Sequence, residues 1–309
     1  MMLINNELQG RPEWLSIFNT RRFFEMHSTG QNSIYLAMQD EENASLQAVV
    51  HLTESDKDEF VSPFRGTYGG YEFSRIDMRF VEQVIHETES AALERGAKKI
   101  TLVQAPSSHD FSSSACCFNA LHRAGYHISG QELNHSVAVT EAPLMERINR
   151  ANQKRWRKCE REGFVFAEEQ DVEGFRKVYE VIRENRASNG IQISMSFEGL
   201  MEMHANFPGK VHFFSCSEQG KIAAGAICIA IRSDILYVFY WGDVTGYEQY
   251  SPVVYLAENL YSYAMGAGFK VLDIGTSTLH GVPNYGLIKF KEALGFQASL
   301  KLSFSKALA

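Results

Sequence analysis

Leu272-Asp273-Ile274-Gly275, followed by Gly286-Leu287-Ile288-Lys289-Phe290-Lys291-Glu292-Ala293-Leu294-Gly295-Phe296, is the stretch on which the fold turns. The first part closes an apolar strand, Val271 to Ile274, on a glycine. The second belongs to an amphipathic helix from Asn284 to Leu294. That helix stops on Gly295, as a left-handed helix end favours. A last strand, Gln297 to Phe304, follows. Upstream, Trp241-Gly242 ends an apolar run, a helix starts at Ser251-Pro252, and Ala267-Gly268-Phe269-Lys270 ends it. The same order occurs earlier in the chain. Tyr68-Gly69-Gly70 ends an apolar run, a helix leads to Arg95-Gly96-Ala97-Lys98, a strand covers Ile100 to Val103, and a helix ends at Ala124-Gly125-Tyr126. Gly70 and Gly242 lie 172 positions apart, Gly96 and Gly268 172, and Gly125 and Gly295 170. Three coincidences in register predict a duplicated domain.

The chain has 309 residues, room for two domains of ordinary size. Hydrophobic residues at 45% supply a core to each half, and charged residues at 22% argue against disorder. A net charge of -7 speaks against a general nucleic-acid coat but leaves room for a local basic face. The five cysteines form no C-x-x-C pair, and an odd count fits a reducing cytoplasm better than an oxidising compartment. Met1 to Gly10 is polar and reads as no leader. No apolar run approaches the roughly 18 residues of a membrane helix. The ten histidines are scattered and read as structural or surface groups, with no metal expected.

Three divisions follow: 1–142, 143–163 and 164–309. The first opens with a helix after Pro12, then a hairpin of Ile34 to Met38 and Leu46 to Leu52 around the polar turn Asp40-Glu41-Glu42-Asn43. Asp77 caps the helix that ends near Arg95. The second division reads as a linking helix, Pro143 to Glu162, with seven basic residues: Arg147, Arg150, Lys154, Arg155, Arg157, Lys158 and Arg161. The third has the order β-α-α-β-β-β-α-β-α-β, an antiparallel meander followed by a helix-connected strand pair. Such pairs are parallel, so the sheet is expected to be mixed.

That order, with the F-K-x-x-x-G-F ending at Phe290 to Phe296 and the Trp156-Arg157-Lys158-Cys159-Glu160-Arg161-Glu162-Gly163 run, resembles the GNAT acyltransferase superfamily. More narrowly it resembles the FemABX-like tandem branch, and the likeness spans nearly the whole chain. The resemblance implies an α+β fold of two tandem GNAT-like lobes, each a mixed, mostly antiparallel sheet flanked by helices. It implies an N-acyltransferase that moves an acyl or aminoacyl group from acyl-CoA or aminoacyl-tRNA to an amine, in the cytoplasm and without membrane insertion. The acceptor would be a small or peptide-like amine, a phosphate-bearing one included. One departure stands out. CoA-using relatives carry an R/Q-x-x-G-x-G/A loop, whose N–H groups cradle diphosphate at a helix start. Here Asp243-Val244-Thr245-Gly246-Tyr247-Glu248-Gln249-Tyr250-Ser251-Pro252 has one glycine and no basic residue. A non-catalytic ligand-binding protein on a degenerate GNAT scaffold is the alternative reading.

Direct attack by an amine needs a proton acceptor, a stabilised oxyanion and two oriented substrates. Lys291, at the position of the superfamily's tyrosine acid, is the candidate to stabilise the carbonyl oxyanion or a donor phosphate, and Lys291→Ala is expected to abolish transfer with folding intact. Asp243, just past a strand, is the candidate proton acceptor. Tyr285 is placed to donate to a leaving group. Asp273, in an apolar strand, is a site acid or a buried structural one, and in either case needs a partner. Arg65, Tyr68, Gly69 and Gly70 are candidates for acceptor contact. Arg157 matches the arginine of the family linker and is the candidate for phosphate or tRNA contact.

Overall fold

A computed structural model of the chain describes residues 12–308 except 29, 41 and 43, together with the backbone of Met2 and Leu3. Most of Met1 to Gly10, and the turn residues Glu41 and Asn43, lie outside the described residues. The chain divides into two compact units. Unit 1 comprises Met1–Asn134, Thr278–Pro283 and Ser299–Ala309; unit 2 comprises His135–Ser277 and Asn284–Ala298. The units are therefore not the contiguous stretches 1–142 and 164–309. The end of the chain belongs to the first unit, and residues 143–163 belong wholly to the second.

In chain order, the first unit contains β1 (Met2–Leu3), α1 (Arg21–Ser28), β2 (Ser33–Gln39), β3 (Leu46–Asp56), β4 (Glu59–Ser62), β5 (Glu72–Phe73), α2 (Met78–Glu94), β6 (Lys99–Val103) and α3 (Phe111–Arg123). β7 (His127–Ala138) begins there and ends in unit 2. Pro12 is followed by a 3₁₀ turn, Ile17–Asn19, before α1, in place of the single expected helix. β2, β3 and β4 form the antiparallel meander, and β4 pairs with β6 in parallel.

Unit 2 contains α4 (Arg150–Arg161), β8 (Val165–Glu168), α5 (Val172–Ser188), α6 (Phe197–Asn206), β9 (Val211–Glu218), β10 (Lys221–Arg232), β11 (Ile235–Asp243), α7 (Pro252–Gly266) and β12 (Val271–Thr276). A small hairpin of β13 (Thr278–Leu279) and β14 (Val282–Pro283) falls in unit 1. α8 (Tyr285–Ala293) returns to unit 2, and β15 (Gln297–Ala307) pairs its Ser303–Ala307 end antiparallel with β6. β8, β9, β10 and β11 run antiparallel, and β11 pairs with β12 in parallel. β10 is buried along nearly its whole length, which explains why its sequence, Ile222 to Ile231, is a continuous apolar run rather than an alternating one.

The expected linking helix is two pieces. Asn149 accepts the N–H of Asn152 and starts α4 afresh after a 3₁₀ turn at Leu144–Glu146. Leu144, Ile148 and Cys159 are buried in the same core as Leu256, Leu260 and Leu294. Burial of Leu144 and Ile148 contributes about 1.5–3 kcal/mol each and fixes the segment leading into α4, while Cys159 seats α4 itself in this core.

The repeat is visible in backbone bonds. Lys98 and Lys99 N–H both donate to Asp58 O before β4; Lys270 and Val271 N–H both donate to Asp234 O before β11. The four helices of the repeat end on the same long bond, Ala97 to Ala92, Tyr126 to Leu121, Phe269 to Ala264 and Phe296 to Lys291, an ending that α4 and α5 also use. Each of the four passes through a left-handed glycine, Gly96, Gly125, Gly268 or Gly295. Gly70 and Gly242, by contrast, are not equivalent: Gly70 is a left-handed loop residue beyond β4, and Gly242 lies inside β11.

Candidate active site

The parallel pair β11–β12 is short. It holds Ile235 to Val271, Leu236 to Leu272 and Tyr237 to Asp273, and there the register stops, although β11 runs on to Asp243 and β12 to Thr276. The two strands part at their carboxyl ends, the side of a parallel pair where ligands bind in open sheets. Unpaired backbone needs other partners, and side chains supply several. Asp273 Oδ1 accepts the Gly275 N–H at 2.7 Å. Lys291 Nζ, on α8, donates to the carbonyls of Ile274, Gly275 and Thr276 at 2.8, 2.8 and 2.9 Å. Gly275 itself is left-handed, with φ +74°. Thr276 is followed by Ser277, whose hydroxyl bonds to His135 Nδ1 at 3.0 Å, and His135 Nε2 is buried without a partner.

Lys291 is only 2% exposed. Burial pushes its ammonium down to about 7, against the pull of the Asp273 carboxylate. Three N–H donors meet three carbonyls, so none remains for a substrate oxygen. Lys291, the candidate for the oxyanion, ties the three carbonyls at the open end of β12 in this structure. Asp273 is buried and has the Gly275 N–H as a partner, the partner that either sequence alternative requires. Burial and Lys291 push His135 down to about 4, against Asp273.

Asp243 stands at the end of β11. Asn185 Nδ2, from α5, donates to its backbone oxygen at 2.9 Å and to its Oδ1 at 3.0 Å. A Cβ at Gly242 would lie 2.8 Å from the Asn185 amide carbon, so this close approach requires glycine. Burial raises the Asp243 pKa, a nearby Glu248 adds to it, and the Asn185 bond opposes both. A raised carboxylate holds a proton more readily, as a general base should. Beside it, Arg186 lies 4.6 Å over the Tyr240 ring, and the Tyr240 hydroxyl bonds to Ser194. Tyr285 opens α8 and is 78% exposed. Asn185, Arg186, Ser194 and His135 were not singled out from sequence. Gly242 inside a strand was the available signal for Asn185.

Residues 147–285 match the family model described as an acetyltransferase (GNAT) domain. The crystal structure of FemX superposes with a TM-score of 0.72 at 13% identity, over 94% of this chain and 92% of that one. The chain has the FemABX-like tandem GNAT fold. L-PGS from Bacillus licheniformis matches with a TM-score of 0.58 at 14% identity, over 87% of this chain and 83% of that one. The C-terminal domain of a putative lysylphosphatidylglycerol synthetase from Agrobacterium fabrum matches with 0.58 at 11%, over 88% and 83%. A sequence comparison with curated proteins finds no match.

A GNAT fold raises the question of CoA, and the β11–α7 connection does not fit its diphosphate. The Gly246 N–H is taken by the Glu248 carboxylate at 2.9 Å. Ser251 N–H is bonded to Tyr247 O and Val254 N–H to Ser251 O, while Pro252 has no N–H. At this helix start a carboxylate occupies the Gly246 N–H, and the nearby Lys158 ammonium is taken by Gln249 O and the Tyr250 ring. Among the described residues, no group of three His, Cys, Asp or Glu is placed to hold a metal ion, and no helix is long and apolar enough to cross a membrane.

Unit 1 treats its own parallel pair differently. β4 and β6 pair from Glu59–Lys99 to Ser62–Leu102. Beyond that, Gly69 N–H donates to Val103 O at 2.9 Å and Gly70 N–H to Ser62 Oγ at 2.8 Å. The loop thus joins the ends of both strands and closes the gap with its own backbone. A Cβ on Gly69 would lie 2.6 Å from Ser62 Oγ, and one on Gly70 2.5 Å from Gln104 Nε2. Tyr68 is buried against Phe18 and His109. Tyr68, Gly69 and Gly70, the candidates for acceptor contact, stand at this closure. Arg65 is exposed, over the Phe64 ring.

The basic residues of residues 143–163 separate by role. Arg147 is committed to Ala138 O and Thr140 Oγ1, and Lys158 to Gln249 O and the Tyr250 ring. Arg150, Lys154, Arg157 and Arg161 are exposed at spacings of four, three and four, which places them on one face of α4. Asn152 and Cys159 are buried on another.

Proposed function

We propose that unit 2 transfers an aminoacyl group from aminoacyl-tRNA to an amine acceptor. The observation that carries the donor assignment is the Glu248 carboxylate on the Gly246 N–H, at the place where acyl-CoA would need open N–H groups. The exposed face of α4 supports it: four cations over roughly 16 Å of helix form a rail for a phosphodiester backbone.

The amine attacks the ester carbonyl between β11 and β12. A C–N bond forms, the ester C–O bond breaks, and the amine proton ends on the hydroxyl of the departing nucleoside. Asp243 takes that proton in passing, its basicity raised by burial and its orientation set by Asn185. Lys291 acts at one remove, by holding the carbonyls of 274–276 away from β11. Tyr285, exposed at the start of α8, lies on the solvent side and is assigned to contact with the leaving strand.

The test is binding of aminoacyl-tRNA and of acetyl-CoA to the full chain. Lys154→Glu with Arg157→Glu is expected to weaken tRNA binding at least about 10-fold and to flatten its salt dependence by roughly 0.7 in log–log slope for each phosphate left unneutralised. Acetyl-CoA that binds in the micromolar range, with tRNA binding indifferent to the double change, would sink the assignment. Asp243→Asn is expected to lower the transfer rate by about 10²–10⁴ with tRNA affinity unchanged, measured by single-turnover transfer. An undiminished rate removes Asp243 from the chemistry.

A further inference from the structure

We propose that Arg186 binds an oxyanion on the amine acceptor, its carboxylate in the simplest case. The inference rests on the transfer reading for the word acceptor, but the site stands on its own contacts. Arg186 lies in the last turn of α5, next to the asparagine that holds Asp243. Its guanidinium sits 4.6 Å over the ring of Tyr240, three residues before Asp243 on β11. The Tyr240 hydroxyl is tied to Ser194, and Tyr179, from the same helix, fixes the same loop by bonding Met195 O at 3.2 Å. The ring under the arginine is therefore held from two sides.

The arginine itself is not answered. Its Nε is buried with no hydrogen-bond partner, and among the described residues no carboxylate forms an ion pair with it. Asp243, the carboxylate anchored by the neighbouring residue, has its Oδ1 on Asn185. A helix C-terminus favours a cation, which accounts for a basic residue here but not for a buried N–H left without an acceptor. A guanidinium presents parallel N–H donors that match a carboxylate or phosphate in bidentate fashion, and stacking on an aromatic ring fixes the plane in which they point. An acceptor gripped there by its oxyanion would carry its amine close to the Asp243 carboxylate. Carboxylate and phosphate share this chemistry. Carboxylate is favoured because the neighbouring cation one turn back on α5, Arg183, is already paired with Glu180, which leaves one guanidinium to offer.

The test reads binding, not transfer, so it can fail while transfer holds, and the reverse. The full chain is titrated with N-acetylglycine, with its neutral counterpart N-acetylglycinamide and with inorganic phosphate, following Trp241 fluorescence and melting temperature. N-acetylglycine is expected to bind saturably and the amide at least 10-fold more weakly. Arg186→Met should lose that difference, and Arg186→Lys, which keeps the charge without the fork, should retain part of it. The melting temperature of each variant without ligand confirms that it folds. Saturable binding of phosphate alone, lost in Arg186→Met, assigns the oxyanion to a phosphate source and overturns the carboxylate choice. Equal binding of N-acetylglycine to wild type and Arg186→Met, or no binding of either anion, overturns the site.

Discussion

Lys291→Met is expected to destabilise the chain by about 3 kcal/mol, with the loss confined to unit 2. Three carbonyls lose their donor at once, two of them in buried bonds. An unsatisfied buried acceptor costs about 1–3 kcal/mol, so the sum exceeds that figure before any offset. The offset is the burial cost of the ammonium, which the substitution removes. Methionine keeps the length of the side chain and so isolates the missing hydrogen bonds from cavity formation, which alanine would add. This is a different outcome from the one expected on sequence grounds, loss of transfer with folding intact. Guanidinium unfolding followed at Trp156 and Trp241, both in unit 2, measures it. A midpoint equal to that of wild type would show that the three carbonyls find other partners and that Lys291 does not brace the opening.

Much of the fold was legible because its signals are local. Asp77, Asp171 and Asn284 cap helices by accepting the N–H groups of Phe80, Gly174 and Leu287, and glycines at helix ends turn the chain left-handed. These features depend on a few adjacent residues and survive in any context. The parallel pair after the second meander was legible for the same reason, since a helix between two strands constrains their direction.

The path of the strands was not. β15 follows the second half in sequence and serves the first unit, and β7 crosses the other way. A strand states its periodicity but not its partner, so nothing in Gln297 to Phe304 names β6. The spacing of Gly70 and Gly242 misled for a related reason. Both glycines are required, one by Gln104 and one by Asn185, yet they answer unrelated contacts. The site residues were the least legible. Lys291 looks like a cation on an amphipathic helix until the carbonyls of 274–276 are seen around it. Asn185 and Arg186 sit at a helix end more than 50 residues from the strand they serve.

Acid is expected to destabilise each unit separately through one buried imidazole. In unit 1, His51 Nε2 donates to Phe18 O at 3.0 Å and its Nδ1 is buried without a partner. Burial pushes it down to about 4, assisted by His27 and opposed by the Phe18 carbonyl. In unit 2, His135 is likewise pushed down to about 4. The ordinary value is about 6.5, so between pH 6.5 and 4 the unfolded chain binds a proton that the folded chain refuses. Protons then favour unfolding: stability is complete above pH 6.5 and declines as pH falls toward 4. For the fully enclosed His51 a displacement of this size corresponds to roughly 3 kcal/mol. His51→Gln preserves a donor toward Phe18 O and has no group titrating in this window. It should flatten the decline between pH 7.5 and 5 for unit 1, read at Trp14, and leave unit 2 unchanged. His135→Gln should do the same for unit 2, read at Trp156 and Trp241. If both variants lose stability with acid as steeply as wild type, the sensitivity lies in the carboxylates and these two rings are already protonated in the folded chain.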